Sequence, residues 1–289
     1  MSYSRYNRDT KDKIVMHKFC SKSLWIDSFS IAVAIIAGIE TLCAISDFGL
    51  KDIWDINQWW EKLGVIVFVL VLVWIATAII KLWRTSRTIK LRFHNTTIVI
   101  TRGDLFKSND WKVIPCNEFF DTQVDDVIIA RNSLNGQYIE KYVNDINDLR
   151  NTIRNAPRVH NMTQRERGGK ICHQLGRIII YDRYMLLAFA HFDENNQATL
   201  THNQYEACLS TMWREISRTY ANQPISIPLL GGGITRFENP SLKNDSQLLK
   251  CLLCTLRLSN ATINQPITIY LTESTLRKIN LYEIKKQFK

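Results

Sequence analysis

Leu63–Ile80 reads LGVIVFVLVLVWIATAII, eighteen residues without a charge. As a helix rising 1.5 Å per residue it reaches about 27 Å, close to the hydrocarbon thickness of a bilayer. Buried helices of soluble proteins are usually shorter. This one has Trp74 within it and Lys62, Lys81 and Arg84 at its ends. The stretch predicts a membrane span, so whatever follows it is the work of a membrane-held protein.

Upstream, Leu24–Ile45 (LWIDSFSIAVAIIAGIETLCAI) is apolar at its centre but carries Asp27 and Glu40. The short connection Ser46–Lys62 favours an antiparallel hairpin of the two spans. A signal peptide would not follow two dozen polar residues, and no A-x-A-like cleavage pattern succeeds the segment. Charge sets the orientation. Residues 1–24 carry +4, 25–80 carry −4, 81–92 carry +5 and 93–289 carry +5, adding to the net +10. Lysine and arginine flank the outer ends and the connecting loop is acidic, so both termini are expected in the cytoplasm. Basicity beside a membrane is matched by anionic headgroups, and no nucleic-acid partner is needed to explain it. Ser30, Ala34 and Gly38 recur every four residues and allow close helix approach, either inside the hairpin or between protomers. Asp27 is expected to snorkel at the cytoplasmic boundary.

The expected organisation is a basic leader over 1–23, a hairpin over 24–83 and one ligand-binding domain over 84–289. Lys81–Arg92 reads as a basic tether. Strands are predicted at Thr96–Thr101, Val113–Pro115, Arg177–Tyr181, Tyr184–His191, Pro224–Leu230 and Pro266–Leu271. Helices are predicted at Ile139–Asn155, Asn203–Tyr220, Ser246–Leu258, and from near Thr272 toward Lys285. The alternation points to a three-layer α/β/α sandwich. Cys251 and Cys254 form a CxxC inside an amphipathic helix without a second pair, which favours core over zinc. No HExxH, GxSxG or Walker A motif occurs.

Three segments follow strands. Gly103-Asp104-Leu105-Phe106 places a carboxylate where it can accept from an exocyclic amine, or is a plain turn. Pro115-Cys116-Asn117-Glu118-Phe119-Phe120-Asp121-Thr122 offers Asn117 to a ribose hydroxyl and Thr122 to a phosphate oxygen. The alternative there is a polar loop with Phe119 or Phe120 tucked into the core. Pro228-Leu229-Leu230-Gly231-Gly232-Gly233-Ile234-Thr235-Arg236 runs a strand into three glycines whose N–H groups can surround a diphosphate, with Arg236 adding charge. In open α/β sheets ligands collect at such strand ends.

GDLF, PCNEFFDT and PLLGGGITRF together resemble the three ligand loops of the macro-domain family, the ADP-ribose-binding fold. About Thr88–Lys289 is similar to the divergent macro domain of the bacterial Thoeris antiphage effectors, in their form with two transmembrane helices. GRIIIYDRYMLLAFAHFDENNQA and TMWREISRTYANQPISIPLLGGGITRF are the most specific segments. The resemblance implies that Asp104, with Leu105 beside it, contacts adenine and that Asn117 faces the distal ribose. Phe119, Asp121 and Thr122 would lie along the diphosphate, and Gly231, Gly232, Gly233, Ile234 and Thr235 would wrap its other side. Hydrolytic macro domains carry a glycine run where this chain has Thr122-Gln123-Val124-Asp125-Asp126. That departure argues against de-ADP-ribosylation and makes Asp125 and Asp126 candidates for a cationic or amine-bearing group attached to ADP-ribose.

The expected function is a membrane effector without a cofactor of its own, its ligand an ADP-ribose derivative made by a partner TIR-domain NADase. Binding would drive homo-oligomerisation and membrane disruption at the bacterial cell membrane. Two rivals remain. One is a membrane-anchored ADP-ribose hydrolase using Asp121, Asp125 or Asp126, and the other is a passive anchor that docks a protein.

Overall fold

The computed structural model describes residues 21–45, 59–157, 165–167, 169–193, 197–233, 235–239 and 243–289. The leader up to residue 20, most of the connection between the two apolar segments, and Ile234 lie outside them. In chain order the elements are α1 (Lys22–Ile45), α2 (Trp59–Thr85), β1 (Thr88–Phe93), β2 (Thr96–Arg102), β3 (Trp111–Asn117), α3 (Leu134–Tyr142) and α4 (Ile146–Asn155). There follow β4 (Arg165–Arg167), β5 (Lys170–Cys172), β6 (Ile178–Tyr181), β7 (Tyr184–Phe192), β8 (Ala198–Leu200) and α5 (His202–Thr219). The chain closes with β9 (Ile225–Pro228), β10 (Arg236–Phe237), α6 (Asp245–Leu258), β11 (Ile267–Leu271), α7 (Glu273–Lys278) and α8 (Leu281–Gln287). It divides into two units. One takes the described residues up to Thr88 with Asn280–Phe288, and the other holds Ile89–Ile279 and Lys289.

In the first unit, α1 and α2 are 24 and 27 residues long and apolar enough to cross a membrane. They pack through Leu24, Ser28 and Ala32, each with no exposed surface, a face spaced four residues apart. Trp74 sits edge-on to Trp25 and Phe29 and donates its indole N–H to the Trp25 carbonyl at 2.8 Å. Ser30, Ala34 and Gly38 are therefore not the intrahairpin face. They point outward and are exposed. Asp27 does not simply snorkel, because it accepts hydrogen bonds from Tyr282 and Lys286 on α8.

The second unit is built on a nine-stranded sheet of order β1-β2-β11-β9-β3-β7-β8-β10, with β6 on β7. β2, β11, β9, β3 and β7 run parallel. On one face Ile114, Leu186 and Ala188 pack with Tyr138 and Leu149 of α3 and α4. On the other, Phe189 meets Tyr205 of α5, whose hydroxyl donates to the carbonyls of Leu230 and of Leu248 on α6. Helices cover both faces, which makes the three layers that the alternation of elements predicts.

Three expectations fail for local reasons. The tether is instead the end of α2 followed by β1, in which Ile89, Leu91 and Phe93 are buried and Lys90 and Arg92 exposed. That period of two is a half-buried strand. The helix expected over Ile139–Asn155 breaks where Asp145 turns its carboxylate onto the Asn147 and Asp148 N–H groups, capping α4. The last helix breaks likewise at Asn280, which caps α8 by accepting from the Tyr282 N–H.

Candidate ligand crevice

β3 and β9 pair only at Trp111↔Ile225 and Lys112↔Ser226 and then part. Pro115 and Pro228 lie beyond the split, so neither missing N–H subtracts from that ladder. From this pair the sheet grows outward both ways, through β7 on one side and β11 on the other. A crevice outside the carboxyl ends of parallel strands at such a reversal is where α/β sheets take ligands. Here it encloses about 800 Å³, enough for a dinucleotide-sized molecule.

Of the residues singled out from sequence, Asp104, Leu105, Asn117, Gly232, Gly233 and Thr235 line this crevice together. Asp104 caps the short 3-10 turn Leu105–Lys107, its Oδ1 accepting from the Phe106 N–H at 3.0 Å. Leu105 is buried in the core under α3. Gly231 has φ +82, and a Cβ there would meet the Phe237 ring at 3.1 Å. It shapes the loop from behind. Among the described residues nothing lies within 4 Å of a Cβ position at Gly233, so its backbone faces open space there. Lys243 Nζ donates to the Gly233 carbonyl at 2.7 Å, holding that end of the loop. Arg236 is exposed and donates to Gln197 outside the lining.

Phe119, Asp121, Thr122, Asp125 and Asp126 do not line the crevice. Their polar groups instead build the loop behind it. Asn117, 4% exposed, accepts the Phe119 and Asp121 N–H groups on Oδ1 at 3.2 and 3.1 Å. Its Nδ2 donates to Asp121 at 2.8 Å, and Asp121 also receives Lys170 Nζ at 2.7 Å. Thr122 accepts from Arg150 Nε at 2.9 Å. Asp125 accepts from the N–H groups of Val127 and Ile128, which holds its carboxyl below the usual range. Asp126, at φ +63, accepts from the Arg131 N–H and pairs with its guanidinium at 3.2 Å.

The turn is also propped from below. Phe120, at φ +52, is buried against the His173 ring, and the His173 N–H donates to the Glu118 carbonyl. Arg177 Nη1 lies 2.8 Å from His173 Nδ1. A guanidinium only donates, so Nδ1 must be the acceptor. Burial, and then the Arg177 charge, push His173 down from 6.5 to about 4. The unfolded chain then binds a proton that the folded one refuses, so stability falls as the pH drops through that window. Acidifying from pH 7 should remove up to roughly 3 kcal/mol by the acid end. Urea titrations of the full chain in detergent at stepped pH check this, and His173→Gln should flatten that part of the profile.

Two parts of the wall carried no motif in the sequence reading. One is 128–137, where Ser133 caps α3 by accepting from the Gly136 N–H, and a Cβ at Gly136 would strike the Ala130 carbonyl at 2.3 Å. The other comprises Asp245 at the start of α6 and Thr272–Lys278 with α7. Asp245 and Lys278 approach to 3.5 Å there. The N-terminal turns of α3 and α6 thus both face the crevice, bringing the positive ends of two helix dipoles to a wall that also bears Asp104, Asp245 and Glu273. A Ser/Asn cap ahead of each helix was the available signal. Among the described residues no group of three His, Cys, Asp or Glu can hold a metal ion.

Comparison with known proteins bears on the family of the chain. Among solved structures, a macrodomain from Oceanobacillus iheyensis, a glycine-to-valine mutant with ADPR, aligns at 13% identity and TM-score 0.45 over 70% of this chain and 97% of its own. The same macrodomain with ADP aligns at 13% identity and TM-score 0.39 over 70% and 95%. The Thoeris protein ThsA of Bacillus amyloliquefaciens (strain Y2) is 38% identical over 208 residues, 68% of this chain and 70% of that protein. The family model described as Thoeris protein ThsA, Macro domain, matches residues 98–272. With more than half its length matched by that model, the chain belongs to the Thoeris protein ThsA family and carries its macro domain.

Proposed function

We propose that the crevice binds an ADP-ribose-derived signal and that the hairpin is the effector it controls in antiphage defence. The observation that carries this reading is the parting of β3 and β9 beside a loop in which Gly232 and Gly233 line the crevice and Gly233 leaves its backbone open. A diphosphate there meets loop N–H groups and two helix N-termini, the chemistry that favours phosphate oxygens. Asp104 has one carboxylate oxygen holding its own turn and offers the other to the adenine amine. Asn117 brings its remaining Nδ2 hydrogen to the distal ribose. Phe119, Asp121 and Thr122 serve the ligand by shaping the loop, and so do Asp125 and Asp126.

The signal comes from a TIR-domain NADase, and this chain senses rather than catalyses. The hairpin sits in the bacterial cell membrane with both termini in the cytoplasm. Ligand binding acts by favouring one state over another, and the favoured state is an assembly of hairpins through the outward Ser30, Ala34 and Gly38 face. That assembly disrupts the membrane and halts the infected cell.

Isothermal calorimetry of the full chain in lipid nanodiscs against ADP-ribose, NAD and ADP tests the binding step. Saturable binding of ADP-ribose with a dissociation constant of about micromolar or tighter is expected, equivalent to about −8 kcal/mol. Absence of saturable binding for all three sinks the reading. Incubation with an ADP-ribosylated protein, with release of ADP-ribose as readout, separates sensing from hydrolysis.

A further inference from the structure

The C-terminal helix α8 belongs to the hairpin rather than to the sheet. It follows α7 after only Ile279 and Asn280, and α7 supplies Ser274, Thr275 and Lys278 to the crevice wall. Even so, Asn280–Phe288 groups with α1 and α2. The bonds responsible are specific. Asp27 on α1 accepts from the Tyr282 hydroxyl at 2.6 Å and from Lys286 Nζ at 2.9 and 3.0 Å. Burial and the adjacent carboxylate raise Tyr282 above its ordinary range, which keeps its hydroxyl a donor. Glu283 accepts from Ser23 at 2.6 Å and from Ser21. Lys81 on α2 lies over the Tyr282 ring, 6.0 Å from its centre. Leu281, Ile284 and Phe288 are buried.

An acid at the end of an apolar span is costly unless partnered, and this one takes its partners from a segment 255 residues away. Seven residues do not hold a helix in isolation, so α8 keeps its shape through what it packs on. It is therefore fastened along its length, through Tyr282, Glu283 and Lys286, to the bases of both apolar helices. Its N-terminal residue is tied by Ile279 and Asn280 to a helix on the crevice wall, where Lys278 pairs with Asp245.

We infer that α8 is a strap that transmits occupancy of the crevice to the hairpin, with Asp27, Tyr282 and Lys286 as its fastening. A ligand that engages Ser274, Thr275 or Lys278 displaces α7, and α8 must follow. The fastening turns that displacement into a force on α1 and α2 at their bases. The inference rests on the ligand reading above and adds the route by which binding reaches the membrane segment.

Hydrogen exchange read by mass spectrometry on the full chain in nanodiscs, with and without saturating ADP-ribose, tests it. Exchange should slow in 229–233 and 272–278 and change by at least about tenfold in 281–288 and 24–30. Asp27→Lys should keep the crevice protection and lose the change in 24–30. Adding Lys286→Asp to that variant should restore the change, since opposite charges again face each other. Protection of the crevice with 281–288 and 24–30 unmoved overturns the strap and leaves the ligand reading standing. Absence of crevice protection overturns both. A swapped pair that couples no better than Asp27→Lys alone also counts against the strap.

Discussion

Gly233→Val should cut the affinity for ADP-ribose by about a hundredfold or more while leaving the unfolding midpoint in place, and Gly231→Val should lower that midpoint. The two glycines are two residues apart and face different constraints. Among the described residues no heavy atom lies within 4 Å of a Cβ at Gly233, which lines the crevice, so a valine Cβ there enters ligand space rather than a packed neighbour. A hundredfold loss corresponds to about 3 kcal/mol, the scale of a blocked contact at a diphosphate. Gly231 sits at φ +82 with the Phe237 ring 3.1 Å from the Cβ position. A β-branched residue is strained there whatever room it finds, and the ring must also yield, so about 2–4 kcal/mol of stability should go. Calorimetry with ADP-ribose, paired with thermal unfolding of each full-length variant, separates the two. Equal effects on both readouts at Gly233 would show that the loop does not face a ligand.

The contrast shows what sequence makes legible. Three glycines after a buried strand announce a loop without Cβ atoms, and the strand period places that loop at the sheet's carboxyl edge. Nothing in the letters says which glycine is open and which is pressed on Phe237, because that depends on β10 returning beside β8. The crevice was half visible for the same reason. Asp104, Asn117 and the glycines follow predicted strands, whereas 128–137 and 272–278 reach the site only through the folding of α3 and α7. The breaks at Asp145 and Asn280 were missed because apolar period continues across both, and a side-chain cap competes with the helix ladder without disturbing that period. β1 was hidden by its charges, since Lys90 and Arg92 are the solvent face of an alternation whose buried face is Ile89, Leu91 and Phe93. Asp27 was read from its neighbours in sequence, and its partners are at the other end of the chain.

Asn117→Ala should lower stability by about 2–4 kcal/mol, which distinguishes a residue that holds the turn from one that only touches the ligand. The alanine leaves the Phe119 and Asp121 N–H groups without their acceptor and deprives Asp121 of a donor at 2.8 Å, all at a site 4% exposed. Were ribose contact its main role, affinity would fall with the unfolding midpoint unchanged. Asn117→Asp sharpens the test. It keeps an acceptor for both N–H groups but sets a second carboxylate against that of Asp121, with Lys170 Nζ as the cation on the pair. Two carboxylates in contact hold one proton more tightly than either would alone. The variant should therefore be less stable than the parent at pH 7 and regain ground as the pH falls through that raised value, opposite in sign to the loss expected from His173. Chemical denaturation of the Asn117→Asp, His173→Gln double variant isolates the first effect from the second. A flat profile would mean that Asn117 Nδ2 and Asp121 are not joined, and the turn would then be held by the Asn117 Oδ1 acceptor with Phe120 and His173.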